Sequence, residues 1–569
     1  MTAISADGLR PGMRDFGARI LDAATASHAR VVAFLLAMSL VCFLPGFFNI
    51  PPIDRDEARF AQATKQMIES GDYIDIRLQD EVRYKKPVGV YWLQAAAVRA
   101  GEALGVPQAR TTIWLYRIPS LAGALGAVLL TYWTALAFVS RRAACLAALM
   151  LGASILLGIE ARLAKTDAML LATVVAAFGV LAREYLGRDE PAKPGWLLPA
   201  VFWSAVAAGV LLKGPLIVMV VGLAVVTLAI VDRSVSWLAR LRPLAGVLWL
   251  MLLVLPWFVA IIGRSGDAFF VDSVGGDMLS KLTGGQETHG APPLAYLVAF
   301  WLTFWPAAPL AALAAPAVWR QRREPMVRFL LAWLVPAWIV FELVPTKLPH
   351  YVLPLYPAVA ILIAWAIEQQ ALARQRWLVR ITVHWPIFAA ILSVGAILAV
   401  ILLRRQLGLL AWPFAAAAMI FGFFAWRLFD EDGAERSFLR AAVAAQLVSI
   451  AAFGAIVPLL RPLFPSAALV EAVGARCDDP RYAAAGYHEP SMVFWFGTSI
   501  LLTDGPGAAD FLQAGGCRFA MIDARQERAF AQRAEAIGLR YAPGPRVEGF
   551  NYNAGRAIAV AVYRAETQP

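Results

Sequence analysis

Apolar runs long enough to cross a bilayer recur about thirteen times along this 569-residue chain, which excludes an ordinary soluble fold. They begin near Val31, Arg117, Ala143, Asp167, Trp196, Pro215, Pro243, Pro292, Phe329, Tyr351, Ile381, Leu409 and Ala441. Backbone polar groups in hydrocarbon must be satisfied within the segment, so runs of this length are helices. The composition, 60% hydrophobic and 16% charged, agrees. The expected class is an all-α polytopic membrane protein.

Charge sets the expected orientation. Basic clusters at Arg141-Arg142, Arg183 to Lys193, Arg233 to Arg242, Arg320 to Arg328 and Arg374 to Arg380 occupy every second loop if the N-terminus is cytoplasmic. Arg404-Arg405 falls on the other side and disagrees. The run from Val31 to Ile50 lies too far from the N-terminus and is too long for a cleaved signal, so it reads as the first transmembrane helix. An odd number of spans leaves the C-terminal segment outside. The net charge of +11 is then a topology signal with some attraction to anionic lipid, and no basic soluble face suggests a nucleic-acid partner.

From about residue 463 apolar runs shorten and turn residues multiply. Strand-like stretches at Met492 to Phe496, Arg518 to Asp523 and Arg556 to Arg564 alternate with helical ones at Gly507 to Ala514 and Arg525 to Gly538. The expected division is a membrane domain over 1–462, with a first outer loop at 51–115, and a small periplasmic α/β domain over 463–569. Cys477 and Cys517 lie in that domain, where an oxidising compartment would allow pairing. Cys42 and Cys145 fall inside spans and read as apolar filler.

Charged groups in a chain this apolar are too costly to be filler. Asp56, Glu57, Lys85, Lys86, Asp167, Lys213, His289, Lys347, His350 and Tyr351 all map to the same, outer end of a span. Scattered structural polars would divide between both ends, so the convergence marks a water-filled site. Pro51-Pro52 stops the first span, and Phe60, Thr64, Met67 and Ile68 share one face of a short amphipathic helix ending at Gly71, expected to lie along the membrane interface. Asp56 sits at its N-terminal end, where capping or the helix dipole also suits a carboxylate. Lys85-Lys86-Pro87 precedes Tyr91-Trp92, a rigid turn with interfacial aromatics that could aim one ammonium, Lys86, at a phosphate. Asp167 either pairs with Arg162 or Lys165, caps its helix, or faces substrate.

These motifs, taken in order, resemble a family. Asp56-Glu57 with Arg59, Tyr84-Lys85-Lys86-Pro87, the segment from Arg162 to Asp167, Lys213-Gly214-Pro215 and Lys347-Leu348-Pro349-His350-Tyr351 look like the GT-C membrane glycosyltransferases, most closely the bacterial lipid A aminoarabinose transferases, which are akin to protein O-mannosyltransferases. The resemblance implies a GT-C fold, a sugar donor linked to undecaprenyl phosphate and a lipid A or lipopolysaccharide acceptor at the periplasmic face of the inner membrane. It implies catalytic roles for Asp56 and Asp167, donor phosphate or lipid contacts from Lys86, Lys85, Tyr84, Lys213, Lys347, Tyr351 and His350, and acceptor or sugar contacts from Glu57, Arg59 and His289. Lys85 replaces an acidic residue common in that family, and the loop Gly284 to Gly290 is less basic than expected, which leaves the sugar open.

Displacing a polyprenyl phosphate from an anomeric carbon builds negative charge on the leaving phosphate, which a fixed ammonium stabilises selectively. A phosphate acceptor needs no base; with a hydroxyl acceptor Asp56 becomes the candidate base. The outer loops show no metal-ligand spacing, so no cofactor or metal is expected, and a monomer is. Transfer of another sugar such as galacturonic acid, or protein O-mannosylation, are the enzymatic alternatives. A flippase for lipid-linked sugar is the alternative of another class, and the absence of an evident repeat or of midplane polar groups weighs against it.

Overall fold

A computed structural model describes residues 16–191, 195–273, 290–474 and 477–566. Among these, eight helices are long and apolar enough to cross a membrane: Ile113–Ala135, Asp167–Leu186, Pro243–Ser265, Pro325–Leu343, Pro349–Glu368, Arg376–Arg404, Leu409–Arg427 and Phe429–Leu459. His28–Phe43, Leu197–Lys213 and Leu216–Asp232 are shorter apolar helices. Two further apolar stretches are interrupted, Arg141–Gly152 with Ile155–Glu160, and Ala295–Thr303 with Ala308–Arg320. The chain is a multi-pass membrane protein.

Burial sorts these helices into layers. Asp167–Leu186 and Pro349–Glu368 are the most enclosed, 72% and 89% of their apolar windows being buried, whereas Pro243–Ser265 and Arg376–Arg404 bury 22%. Helices apolar on every side but left uncovered by protein are those that face lipid. The two central helices begin at Asp167 and, in a 3₁₀ turn over Pro349–Leu355, at His350 and Tyr351. The most buried part of the bundle thus presents three of the candidate residues.

Two glycines allow close approaches that bring site elements together. A Cβ on Gly123 would lie 2.6 Å from the backbone nitrogen of Met169, so Ile113–Ala135 crosses Asp167–Leu186 at its first turn. A Cβ on Gly89 would lie 2.7 Å from the carbonyl oxygen of Leu211, which seats the helix Gly89–Ala103, just after Lys86, against the end of Leu197–Lys213.

The helix in the first loop runs Asp56–Ser70 and ends at Gly71, whose φ of 72° supplies the left-handed cap. It does not simply lie on a membrane surface as the amphipathic pattern suggested. Its polar residues Gln62 and Lys65 are buried, donating to Thr498 Oγ1 at 2.8 Å and to the Phe494 carbonyl at 2.8 Å. A small hairpin, β1 Arg77–Leu78 and β2 Glu81–Val82, completes that loop.

The C-terminal region that packs on this helix carries a sheet of β3 Arg481–Ala485, β4 Leu501–Thr503, β5 Arg518–Asp523, β6 Tyr541–Asn551 and β7 Arg556–Ala565, in the order β4-β3-β5-β7-β6. β3, β4 and β5 are parallel; β7 is antiparallel to β5 and β6. Apolar clusters cover both faces: Leu469, Tyr487 and Met492 on one, Ala508, Leu512 and Phe530 on the other. Cys477 and Cys517 are joined as a disulfide, with Cα atoms 6.1 Å apart. The expected strand at Met492 to Phe496 is instead part of the helix Pro490–Phe496. A short apolar run does not distinguish strand from buried helix, and Pro490 in the first turn favours the helix. β3 escapes notice because its Ala483, Ala484 and Ala485 have little strand propensity but fit between two covered faces.

Candidate active site

The site is built around a buried charge cluster. Asp167, the first residue of its helix, pairs through Oδ1 with Nζ of Lys213, the last residue of another, and lies 3.8 Å from Lys165 Nζ through Oδ2. Lys165 Nζ also meets Glu160 Oε1 at 3.2 Å. His350 bridges the two acids, Nδ1 lying 3.6 Å from Glu160 and Nε2 3.7 Å from Asp167. Lys213 Nζ sits 5.3 Å from the centre of the Tyr351 ring. Burial opposes the charge on Lys165, but Glu160, Asp167 and Asp56 outweigh it and raise its pKa. Lys86, half-buried, is close enough to act electrostatically on His350. Asp56, Lys86, Asp167, Lys213, His350 and Tyr351 therefore form one electrostatic neighbourhood.

Glu160, Asp167 and His350 could in geometry hold a metal ion, their ligand atoms lying within 4.8 Å of one another. Glu160 Oε2 has no hydrogen-bond partner among the described residues. Yet Lys165 and Lys213 already pair with the carboxylates, and a divalent cation would have to displace or face them. The donor set suits internal ion pairing better than a metal.

Several candidates stand elsewhere. Glu57, expected to touch acceptor or sugar, is 2% exposed and committed inside the protein. Its two oxygens accept from Arg117 Nε at 2.7 Å and Nη2 at 3.0 Å, and also from the backbone N–H groups of Ile53 and Ala164. Arg117 Nη1 further donates to the carbonyls of Phe47 and Ile50. This pair ties the end of the first apolar helix, the start of Asp56–Ser70 and the 160s segment at one point. Tyr84, expected at the donor, is buried against Phe269 and donates to Asp75 Oδ1 at 2.8 Å; burial, then that acid, push its pKa to about 12. Lys347 Nζ donates to the carbonyls of Ala291 and Val344, closing the end of Pro325–Leu343. Lys85 is exposed and Arg59 half-buried. His289 lies outside the described residues.

Arg162, a suggested partner for Asp167, instead donates to the carbonyls of Pro45, Gly158 and Cys42 and to Ser449 Oγ. Glu160 and Arg117 were not singled out from the sequence, whereas Lys165, offered there as a partner for Asp167, does lie beside it. Glu160 ends an apolar run, and a charge there was a signal that could have found it. The 160s segment is further fixed by Gln94 Nε2 donating to the Ala164 carbonyl at 3.2 Å and Ser120 Oγ to the Lys165 carbonyl at 2.9 Å.

By its architecture the chain is a multi-pass membrane protein whose fold resembles that of the GT-C membrane glycosyltransferases. Residues 33–265, which include Asp56, Lys86, Asp167 and Lys213, match the family model described as dolichyl-phosphate-mannose-protein mannosyltransferase. Within that class it resembles the aminoarabinose transferases. A Pectobacterium carotovorum protein named undecaprenyl phosphate-alpha-4-amino-4-deoxy-L-arabinose arabinosyl transferase is 27% identical over 67% of this chain and 65% of its own length. The protein of the same name from Aeromonas hydrophila is 28% identical over 56% and 57%. The chain thus matches somewhat under two thirds of the length of these relatives. ArnT from Cupriavidus metallidurans bound to undecaprenyl phosphate superposes with a TM-score of 0.72 at 18% identity, covering 94% of this chain and 98% of that one, and its apo state gives 0.73.

Proposed function

We propose that this chain is an integral membrane glycosyltransferase that moves 4-amino-4-deoxy-L-arabinose from undecaprenyl phosphate to lipid A or another lipopolysaccharide acceptor. It works at the periplasmic face of the bacterial inner membrane, with the division at about residue 463 separating the membrane domain from a periplasmic one and with about thirteen spans. The observation that carries this reading is the convergence of Asp56, Lys86, Asp167, Lys213 and Tyr351 at the ends of the two most buried helices and the first loop. The similarity of the relatives in name supports the donor and the sugar.

In this reading Lys86 meets the donor phosphate and stabilises the charge that grows on it as the anomeric bond breaks. Tyr351 and Lys213 line the donor side, and Asp167 holds Lys213 in place. Asp56 orients the acceptor phosphate or the sugar amine; a phosphate acceptor is already an anion and requires no base. Arg59 and His289 remain acceptor-side candidates. Transfer proceeds by a single displacement with inversion. Modified lipid A of this kind carries less negative charge, which is the basis for a role in polymyxin resistance.

Mass spectrometry of lipid A from a deletion strain tests it. An aminoarabinose-sized mass should vanish on deletion, return with wild type and stay absent with Asp56→Asn. An unchanged lipid A profile would overturn the assignment of acceptor.

A further inference from the structure

We propose that Tyr552 and Asn553 of the C-terminal domain are positioning residues which hold the turn carrying Asp56. The inference rests on Asp56 acting in transfer as read above.

Arg55, immediately before Asp56, adopts φ 72° and ψ −121°, a conformation that residues with a Cβ rarely take. Such conformations persist where the surroundings over-determine them, and they concentrate at functional sites. Here the restraints come from more than four hundred residues away in the chain. The backbone N–H of Asp54 donates to Tyr552 Oη at 2.5 Å. The Asp54 carboxylate accepts from the Ser491 N–H at 3.1 Å and the Tyr487 hydroxyl at 3.3 Å. Arg55 Nε donates to Asn553 Oδ1, and Asn553 Nδ2 donates in turn to Glu489. Glu489 also accepts from Asn551 Nδ2 at 2.7 Å, so the turn bearing Tyr552 and Asn553 is itself braced.

On the other side of Asp56, Glu57 is locked to Arg117 of the membrane bundle. Asp56 is therefore held between an anchor in each domain, one residue away in either direction. A domain that only needed to dock could do so through the body of the helix, where Gln62, Lys65 and the contact of Phe494 with Tyr116 already join the two. The additional contacts at Asp54 and Arg55 act on the turn itself.

The test uses the full chain in nanodiscs, comparing wild type with Tyr552→Phe, Asn553→Ala and Arg533→Ala, the last removing an exposed pair with Asp510 elsewhere in the same domain. Transfer kinetics are read with undecaprenyl-phosphate-linked aminoarabinose and lipid A, and hydrogen exchange is read over residues 53–60. Displacement of a reacting group by a fraction of an ångström predicts kcat lowered about ten-fold or more in the first two variants with donor KM unchanged. Local opening predicts amide exchange at 53–60 about ten-fold faster, with thermal midpoint and Arg533→Ala at wild-type values. Wild-type kcat together with wild-type exchange at 53–60 would overturn the proposal. Tyr552→Phe keeps the ring and so guards against misfolding of Asn553→Ala. If the wild-type protein transfers nothing and binds no undecaprenyl phosphate, the functional reading fails, and exchange at 53–60 alone decides whether the domain holds the turn.

Discussion

Asp167 and Lys213 form a buried ion pair across the ends of two helices, the acid opening one and the base closing the other. Each charge faces the helix terminus whose dipole favours it, so the pair is stabilised by geometry that neither residue supplies alone. It also sets the level at which His350, Tyr351 and Lys165 meet.

Asp167→Asn takes the paired carboxylate from the buried Lys213 ammonium and leaves Lys165 to Glu160. Breaking a buried pair from one side costs about 3–5 kcal/mol, whereas replacing both partners is far milder. A lowered thermal midpoint in detergent is expected for Asp167→Asn, with most of the loss recovered in Asp167→Asn/Lys213→Met. Activity should remain absent in both. Full activity in the double variant would place the pair outside the chemistry.

Lys86 and Lys85 are neighbours with different surroundings, one half-buried and within electrostatic reach of His350, the other exposed. Lys86→Met should lower kcat/KM about 10²–10³-fold, the scale of losing one group that stabilises transition-state charge. Lys85→Met should stay within about two-fold, as an exposed charge screened by water and salt would. Kinetics on the two purified variants check this, and equal losses would contradict the assignment.

Gly89 lets the helix after Lys86 touch the carbonyl of Leu211. Gly89→Val forces the two helices apart, and overpacking of this kind costs about 1–3 kcal/mol. Because Lys86 and Lys213 ride on the separated elements, transfer should fall further than stability does. Comparing the thermal midpoint with the rate of transfer distinguishes this from simple destabilisation.

Asp54 lies between the first loop and the C-terminal sheet region, and burial pushes its pKa from 3.8 up to about 6, with the bonds from Ser491 pulling back and the charge of Glu489 adding to the rise. The folded protein holds this proton more tightly than the unfolded chain. Its contribution is complete below about pH 4 and is lost as pH rises through about 6, a span worth roughly 3 kcal/mol. Resistance of the domain junction to proteolysis should increase from pH 7 to pH 5 in wild type. Asp54→Asn should be flat across that window; a parallel rise in both would assign the effect to another group.

Much of the architecture was legible because hydrocarbon is an unforgiving solvent. Each of the thirteen expected span starts lies in, or within a few residues of, a helix, and the outlying charges that stood out as expensive, Asp56, Lys86, Asp167, Lys213, His350 and Tyr351, do share one neighbourhood. Hydropathy and the cost of burying charge are local properties, readable one segment at a time. Partnership is not local. Adjacent acids Asp56 and Glu57 look alike in the chain, yet Arg117, sixty residues on, takes Glu57 into the scaffold. Lys347 and Lys213 occupy similar breaks between spans, but one closes a helix on backbone carbonyls and the other meets Asp167. Likewise nothing near Asp54 and Arg55 announces Tyr552 and Asn553. Whether a buried charge serves structure or chemistry depends on which opposite charge folding brings within a few ångströms, and only the packing of distant segments decides that.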